Sequence, residues 1–91
     1  MTKQLRIKIY GDVIGVNFRY YAKQKADELG LVGWVRNLPD GSVEILAQGE
    51  KEILEKLLEW AREGPKFAQV DNVEVSWGEP AAAFERFEIK Y

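Results

Sequence analysis

The chain contains no cysteine and no histidine. Without Cys there is no disulfide framework, no thiolate nucleophile and no zinc–thiolate or iron–sulfur site. Without His there is no imidazole base, no Ser-His-Asp triad and no His-based metal site. An excess of positive charge is missing too: thirteen Lys and Arg stand against fifteen Asp and Glu, a net charge of −2. A general nucleic-acid binder usually carries a basic field, so that class is disfavoured. No stretch approaches the roughly 18 apolar residues of a membrane span. The opening Met1-Thr2-Lys3-Gln4-Leu5-Arg6-Ile7-Lys8 places charges where a signal peptide needs an apolar run. The expectation is a soluble cytoplasmic protein whose chemistry, if any, uses carboxylates, Arg, Lys, Tyr, amides or the backbone.

What is present suits one small globular unit over residues 1–91. Hydrophobic residues make up 46% and charged residues 31%, the balance of a folded domain rather than a disordered tail. Leu5, Ile7 and Ile9 alternate with Arg6, Lys8 and Tyr10, a half-buried strand. Phe18, Ala22, Ala26 and Leu29 then recur at helical spacing, and Gly30 offers a stop. A second strand is expected from Leu31 to Asn37 and a third over Val43, Ile45 and Ala47. Leu38-Pro39-Asp40-Gly41 between them is turn chemistry, which makes the pair a hairpin ended by Gly49. Glu50 to Glu63 reads as the clearest helix, stopped by Gly64-Pro65. Val73, Val75 and Trp77 form a fourth strand, and Phe87, Ile89 and Tyr91 a short last one. The order β-α-β-β-α-β plus a terminal strand predicts a ferredoxin-like α+β sandwich, two helices on one face of an antiparallel sheet.

The first strand-to-helix connection is the candidate for chemistry. Gly11 and Gly15 bracket Asp12-Val13-Ile14, and Val16-Asn17-Phe18-Arg19 follows. Glycines before a helix let backbone N–H groups converge, and the helix N-terminus adds unsatisfied donors and a positive dipole end. The loop lacks dinucleotide and P-loop spacing, so by itself it reads more simply as a tight connection. Arg19 sits in the first helical turn, where its charge opposes the dipole at a cost of about 0.3–1 kcal/mol that a bound anion would remove. Asn37 has a plain role at a strand end before a turn, and Asn17 a plain role as helix N-cap through its side chain. Trp34, Trp60 and Trp77 read as core or sheet-face residues.

Together these residues resemble the acylphosphatase family. Its first motif, G-x-V-Q-G-V-x-F-R, stands here as Gly11 to Arg19. Its second stands as Gly33-Trp34-Val35-Arg36-Asn37 followed by Gly41, Val43 and Gly49. The resemblance implies hydrolysis of carboxyl-phosphate anhydrides to carboxylate and phosphate, by direct water attack and without metal or organic cofactor. It implies that the backbone of Gly15, Val16, Asn17, Phe18 and Arg19, with the Arg19 guanidinium, binds the phosphoryl group, and that Asn37 orients the water. A small-molecule acyl phosphate is then the substrate, inorganic phosphate the product and competitive inhibitor, and the chain a monomer with no nucleic-acid or membrane partner. None of these groups titrates near neutrality, so no ionisation of the enzyme is expected in kcat between about pH 6 and 8.

Two positions depart from the motif: Ile14 stands where the family usually has Gln, and Asp12 where it often has Arg or Lys. A weaker phosphate site is the expected consequence of either. One alternative is a non-catalytic module of the same fold that binds phosphate or carbamoyl phosphate. Another is an RNA-binding domain, which needs aromatics on the first and third strands; the third, Ser42 to Gln48, has none.

Overall fold

A computed structural model describes residues 1–91. The elements are β1 (Thr2–Asp12), α1 (Phe18–Leu29), β2 (Val32–Asn37), β3 (Val43–Glu50), α2 (Lys51–Glu63), β4 (Gln69–Gly78) and β5 (Phe87–Lys90). They build one sheet in the order β4-β1-β3-β2-β5. Every pairing is antiparallel except β2 with β5, which is parallel, so the sheet is mixed.

Alternation along the strands sets which face meets the helices. Leu5, Ile7 and Ile9 from β1, Val35 from β2, and Val43, Ile45 and Ala47 from β3 are all fully buried. Phe18, Ala22 and Ala26 from α1 and Leu54, Leu57 and Ala61 from α2 close onto them in one continuous core. Each fully buried large side chain contributes about 1.5–3 kcal/mol of transfer free energy. Gly30 ends α1, its N–H donating to the Ala26 and Asp27 carbonyls. Trp60 packs half-buried against this core, Trp34 is buried on the opposite face, and Trp77 is 42% exposed on the β4 edge.

Several boundaries differ from the sequence expectation. The third strand does not stop at Gly49 but continues to Glu50, since Gly49 pairs with Lys3 and lies against the Leu31 side chain. Glu50 is therefore the residue before α2, and its carboxylate holds the Met1 amino group at 2.8 Å. The fourth strand starts at Gln69 rather than Val73, and β1 runs on through Gly11 to Asp12 past an irregularity at Tyr10/Gly11.

The far face of the sheet is half covered. β4 and β5 lie on opposite edges, so residues 79–86 must cross the sheet to join them. They cross on the side away from the helices: Gln48 Nε2 donates to the Ala82 carbonyl at 2.7 Å, and Ala81 N–H donates to Gln4 Oε1 at 3.2 Å. Leu46, Gln48 and Trp34 are buried beneath or beside this crossing.

Beyond the crossing, Glu44 is clamped between two guanidinium groups. Arg6 Nη1 donates to its Oε2 at 2.6 Å and Arg36 Nε to its Oε1 at 2.8 Å. Burial pushes the Glu44 carboxyl up, but Arg36 and Arg6 outweigh that and hold it below the usual carboxylate range. In the β2–β3 turn, the Ser42 hydroxyl, the Ser42 N–H and Lys8 hold the Asp40 carboxyl at about 2. A depressed folded-state pKa stabilises above the unfolded value, about 3.9 for Asp and 4.3 for Glu, and the benefit is lost as pH falls through the folded value. Urea midpoints are thus expected to fall from pH 5 towards pH 3. Glu44→Gln, with no carboxyl to protonate, should be less stable at pH 7 by about 1 kcal/mol, because both arginines are half exposed, and should lose less over the acid window. Parallel acid dependence of the two proteins would remove Glu44 from the account.

Candidate active site

The site is built where β1 hands over to α1. Gly15 (φ 79°) and Asn17 (φ 60°, ψ 31°) both adopt the left-handed conformation. Interleaving left-handed with ordinary residues turns successive N–H groups to one side, a concavity suited to an anion. Asn is among the few residues besides Gly that enter this region readily. None of the N–H groups from Gly15 to Tyr20 donates to an acceptor in the protein. The first turn of α1 holds no acidic residue, so nothing within the helix neutralises its positive end.

Asn17 occupies the N-cap position, but its side chain makes no capping hydrogen bond, contrary to the role expected from sequence. A capping side chain reaches the N2 or N3 amide from extended backbone; the left-handed turn at Asn17 aims it elsewhere. Its carbonyl instead accepts the Tyr21 N–H at 3.1 Å.

Buried side chains hold the loop at both ends. Val13 is 1% exposed, and Phe18, 2% exposed, meets Trp60 edge-on with centroids 5.3 Å apart. Between them Val16 packs against the core. Arg19 is about 100° further round the helix than Phe18. It reaches β5, where Nη1 donates to the Lys90 carbonyl at 3.2 Å and the guanidinium lies 4.8 Å from the Tyr91 ring centroid. Guanidinium has five donors, so this anchor fixes the side chain and leaves most of them available.

Asn37 ends β2. It stands two residues beyond Val35, so it shares the helix-facing side of the sheet. Its side chain is half buried and has no hydrogen-bond partner in the protein. The fold brings Gly15, Asn17, Phe18, Arg19 and Asn37 onto one open cleft of about 470 Å³, with Val13, Tyr20, Tyr21, Ile89 and Tyr91. Of the residues expected to bind phosphate or orient water, only Val16 is not on the lining. Neither Asp12 nor Ile14 lines the cleft.

Tyr20, Tyr21, Ile89 and Tyr91 also line the cleft and lie outside the two sequence motifs. The tyrosine pair adjoins Arg19 in sequence, a signal that was available. Ile89 and Tyr91 arrive through the parallel pairing of β5 with β2, which no local pattern encodes. Elsewhere in the fold no group of three carboxylates gathers that could hold a metal ion, and no helix is long and apolar enough to cross a membrane.

Fold and cleft define a small ferredoxin-like α+β domain whose first strand-to-helix connection presents unpaired backbone amides and an arginine to an open cleft. The family profile described as Acylphosphatase matches residues 5–89. The chain is 51% identical over 85 residues to an acylphosphatase of Acaryochloris marina, covering 93% of this chain and 90% of that protein. It is 51% identical over 74 residues to one of Thermococcus kodakarensis, covering 81% of each. The crystal structure of acylphosphatase from Bacillus subtilis superposes with a TM-score of 0.94 at 39% identity, covering 98% of this chain and 99% of that one. The chain belongs to the acylphosphatase family.

Proposed function

We propose that this cleft hydrolyses acyl phosphates by direct attack of water on phosphorus. The phosphoryl oxygens lie in the cradle of Gly15, Val16, Asn17, Phe18 and Arg19 amides, and the Arg19 fork closes on them. The carboxamide of Asn37 holds the attacking water. The water oxygen bonds to phosphorus, the bond from phosphorus to the acyl oxygen breaks, and carboxylate departs with that electron pair. Asn is not basic, so the proton passes to a phosphoryl oxygen. Carboxylate is a good leaving group, and phosphoryl transfer then depends mainly on positioning and on stabilising charge over three oxygens. Inorganic phosphate, the second product, competes for the same cradle. The unit is residues 1–91, acting as a cytoplasmic monomer with no metal or organic cofactor.

One observation carries this reading: unpaired loop amides and the Arg19 guanidinium share a cleft with the unpaired Asn37 side chain. The test is phosphate release from benzoyl phosphate. Asn37→Ala is expected to lower kcat by about 100-fold, the cost of a misplaced reactant, with KM changed less than threefold. The wild-type kcat should be flat between about pH 6 and 8. A rise in KM with kcat intact would make Asn37 a phosphate ligand instead. Phosphate binding without any hydrolysis would make the domain an anion-binding module.

A further inference from the structure

The cleft is larger than the proposed chemistry needs. A phosphoryl group with its attacking water takes the space of four or five waters, on the order of 150 Å³ at about 30 Å³ each. The cleft offers about 470 Å³. Six of its ten lining residues are hydrophobic. Val13 and Phe18 among them are buried. Tyr20 and Tyr21 are different: they stand in the first turn of α1 directly after Arg19, 57% and 41% exposed. Their rings pack edge-to-face, with centroids 5.1 Å apart and planes at 78°. Each ring thus limits the other's freedom, and apolar surface stays open beside the anion cradle.

Charge narrows what that surface can take. Arg19 is the single charged residue on the lining, and the proposed reaction commits it to the phosphoryl group. An acyl group with its own carboxylate would find no second cation there. Lys25 and Lys66 line a neighbouring groove that shares only Tyr21 with the cleft.

We infer that Tyr20 and Tyr21 form the subsite for the acyl group, and that they select acyl phosphates whose acyl group is uncharged and aromatic. The inference rests on the hydrolytic reading of the cleft. In an aroyl phosphate the ring is bonded to the carbonyl carbon, so it leaves the cradle beside the residues that follow Arg19. There it completes an edge-to-face cluster with the tyrosine pair. An acetyl methyl group covers little of that surface, and a succinyl carboxylate would lose hydration there with no cation to offset the loss.

The test compares kcat/KM for benzoyl, acetyl and succinyl phosphate in wild type, Tyr20→Ala and Tyr20→Phe. Taking the benzoyl-to-acetyl ratio in each protein and comparing it between proteins cancels the intrinsic reactivity of the substrates. The ratio is expected to fall about 10-fold in Tyr20→Ala, the selectivity of one buried ring face, and to stay within about twofold in Tyr20→Phe. Inhibition by inorganic phosphate should shift less than about twofold in both variants, since phosphate uses only the cradle. An unchanged ratio in Tyr20→Ala, or a wild-type preference for succinyl over benzoyl phosphate, overturns the inference. If wild type hydrolyses none of the three, the hydrolytic reading fails. The subsite is then decided by thermal shift with benzoylphosphonate against acetylphosphonate, where the same loss of preference in Tyr20→Ala is expected and its absence refutes the subsite.

Discussion

Arg19→Ala should lower kcat/KM for benzoyl phosphate by about 10³-fold or more while leaving the fold intact. A guanidinium that grips a phosphoryl group supplies two charge-assisted hydrogen bonds, each worth about 1.5–3 kcal/mol. Their sum corresponds to about 10²–10⁴ in rate, and arginines acting on transferred phosphoryl groups commonly contribute about 10³–10⁵. The contacts Arg19 makes within the protein are few. They are one hydrogen bond to the Lys90 carbonyl and the face of the exposed Tyr91 ring. An exposed cation–π contact is worth about 0.5–1 kcal/mol, and removing a cation from the positive end of α1 returns about 0.3–1 kcal/mol. The variant should therefore melt within a few degrees of wild type in phosphate-free buffer. With inorganic phosphate added, wild type should gain stability by mass action and Arg19→Ala should not. Arg19→Lys keeps the charge but loses the fork, so its activity should lie between the two. Hydrolysis above a tenth of the wild-type rate in Arg19→Ala would remove Arg19 from the phosphoryl site. A large drop in melting temperature would show that it acts through the fold.

The sequence carried the element order because each core-facing strand keeps period two and each helix keeps one apolar stripe. Leu5, Ile7 and Ile9 are buried as the alternation requires, and α2 buries Leu54, Leu57 and Ala61. What it did not carry depends on non-local contacts. Leu46 and Gln48 sit on the far face of β3 yet are buried, because residues 79–86 cross over them. Gly49 looked like a stop, yet its pairing with Lys3 and the Leu31 side chain above it keep it in the strand. Gln69 to Asn72 show no clean alternation because β4 is an edge strand, mostly exposed, and the run is paired to β1 across an irregular register. The candidate site divides in the same way. Gly15, Asn17, Phe18 and Arg19 are contiguous, so their convergence follows from one loop and one helix start. Asn37 joins them only because β2 ends beside that loop, and Ile89 and Tyr91 only because β5 pairs with β2. The left-handed backbone at Asn17 shows why a good capping residue need not cap. Asn is also suited to that conformation, and at Asn17 the conformation prevails over the cap.

Gly33→Ala should destabilise the protein by more than about 4 kcal/mol, close to the whole stability of a domain this small. Gly33 lies in β2 between the β3 and β5 ladders, opposite Ala47 and Phe87. Its φ is 140°, a region essentially closed to L side chains, and a Cβ there would fall 1.9 Å from the Leu46 carbonyl oxygen. That oxygen belongs to the backbone of β3, whose neighbours are β1 on one side and β2 on the other, so it cannot yield as a flexible side chain would. Relief would require breaking the β2–β3 ladder near the strand that carries Asn37. Gly30→Ala is the matched control. Gly30 is also left-handed, at φ 71°, but nothing lies within 4 Å of the added methyl. Only the conformational cost of about 1–2 kcal/mol applies there. With about 4–8 °C of melting temperature per kcal/mol in a domain of this size, Gly30→Ala should melt roughly 5–15 °C below wild type. Gly33→Ala should be unfolded, or melt more than about 20 °C below wild type. Circular dichroism melts of the two variants decide the matter, and equal losses would show that conformational cost alone accounts for Gly33. The expected inequality explains the glycine that opens the second motif. It leaves the space in which β2 and β3 approach closely enough to form the ladder that ends, four residues on, at Asn37.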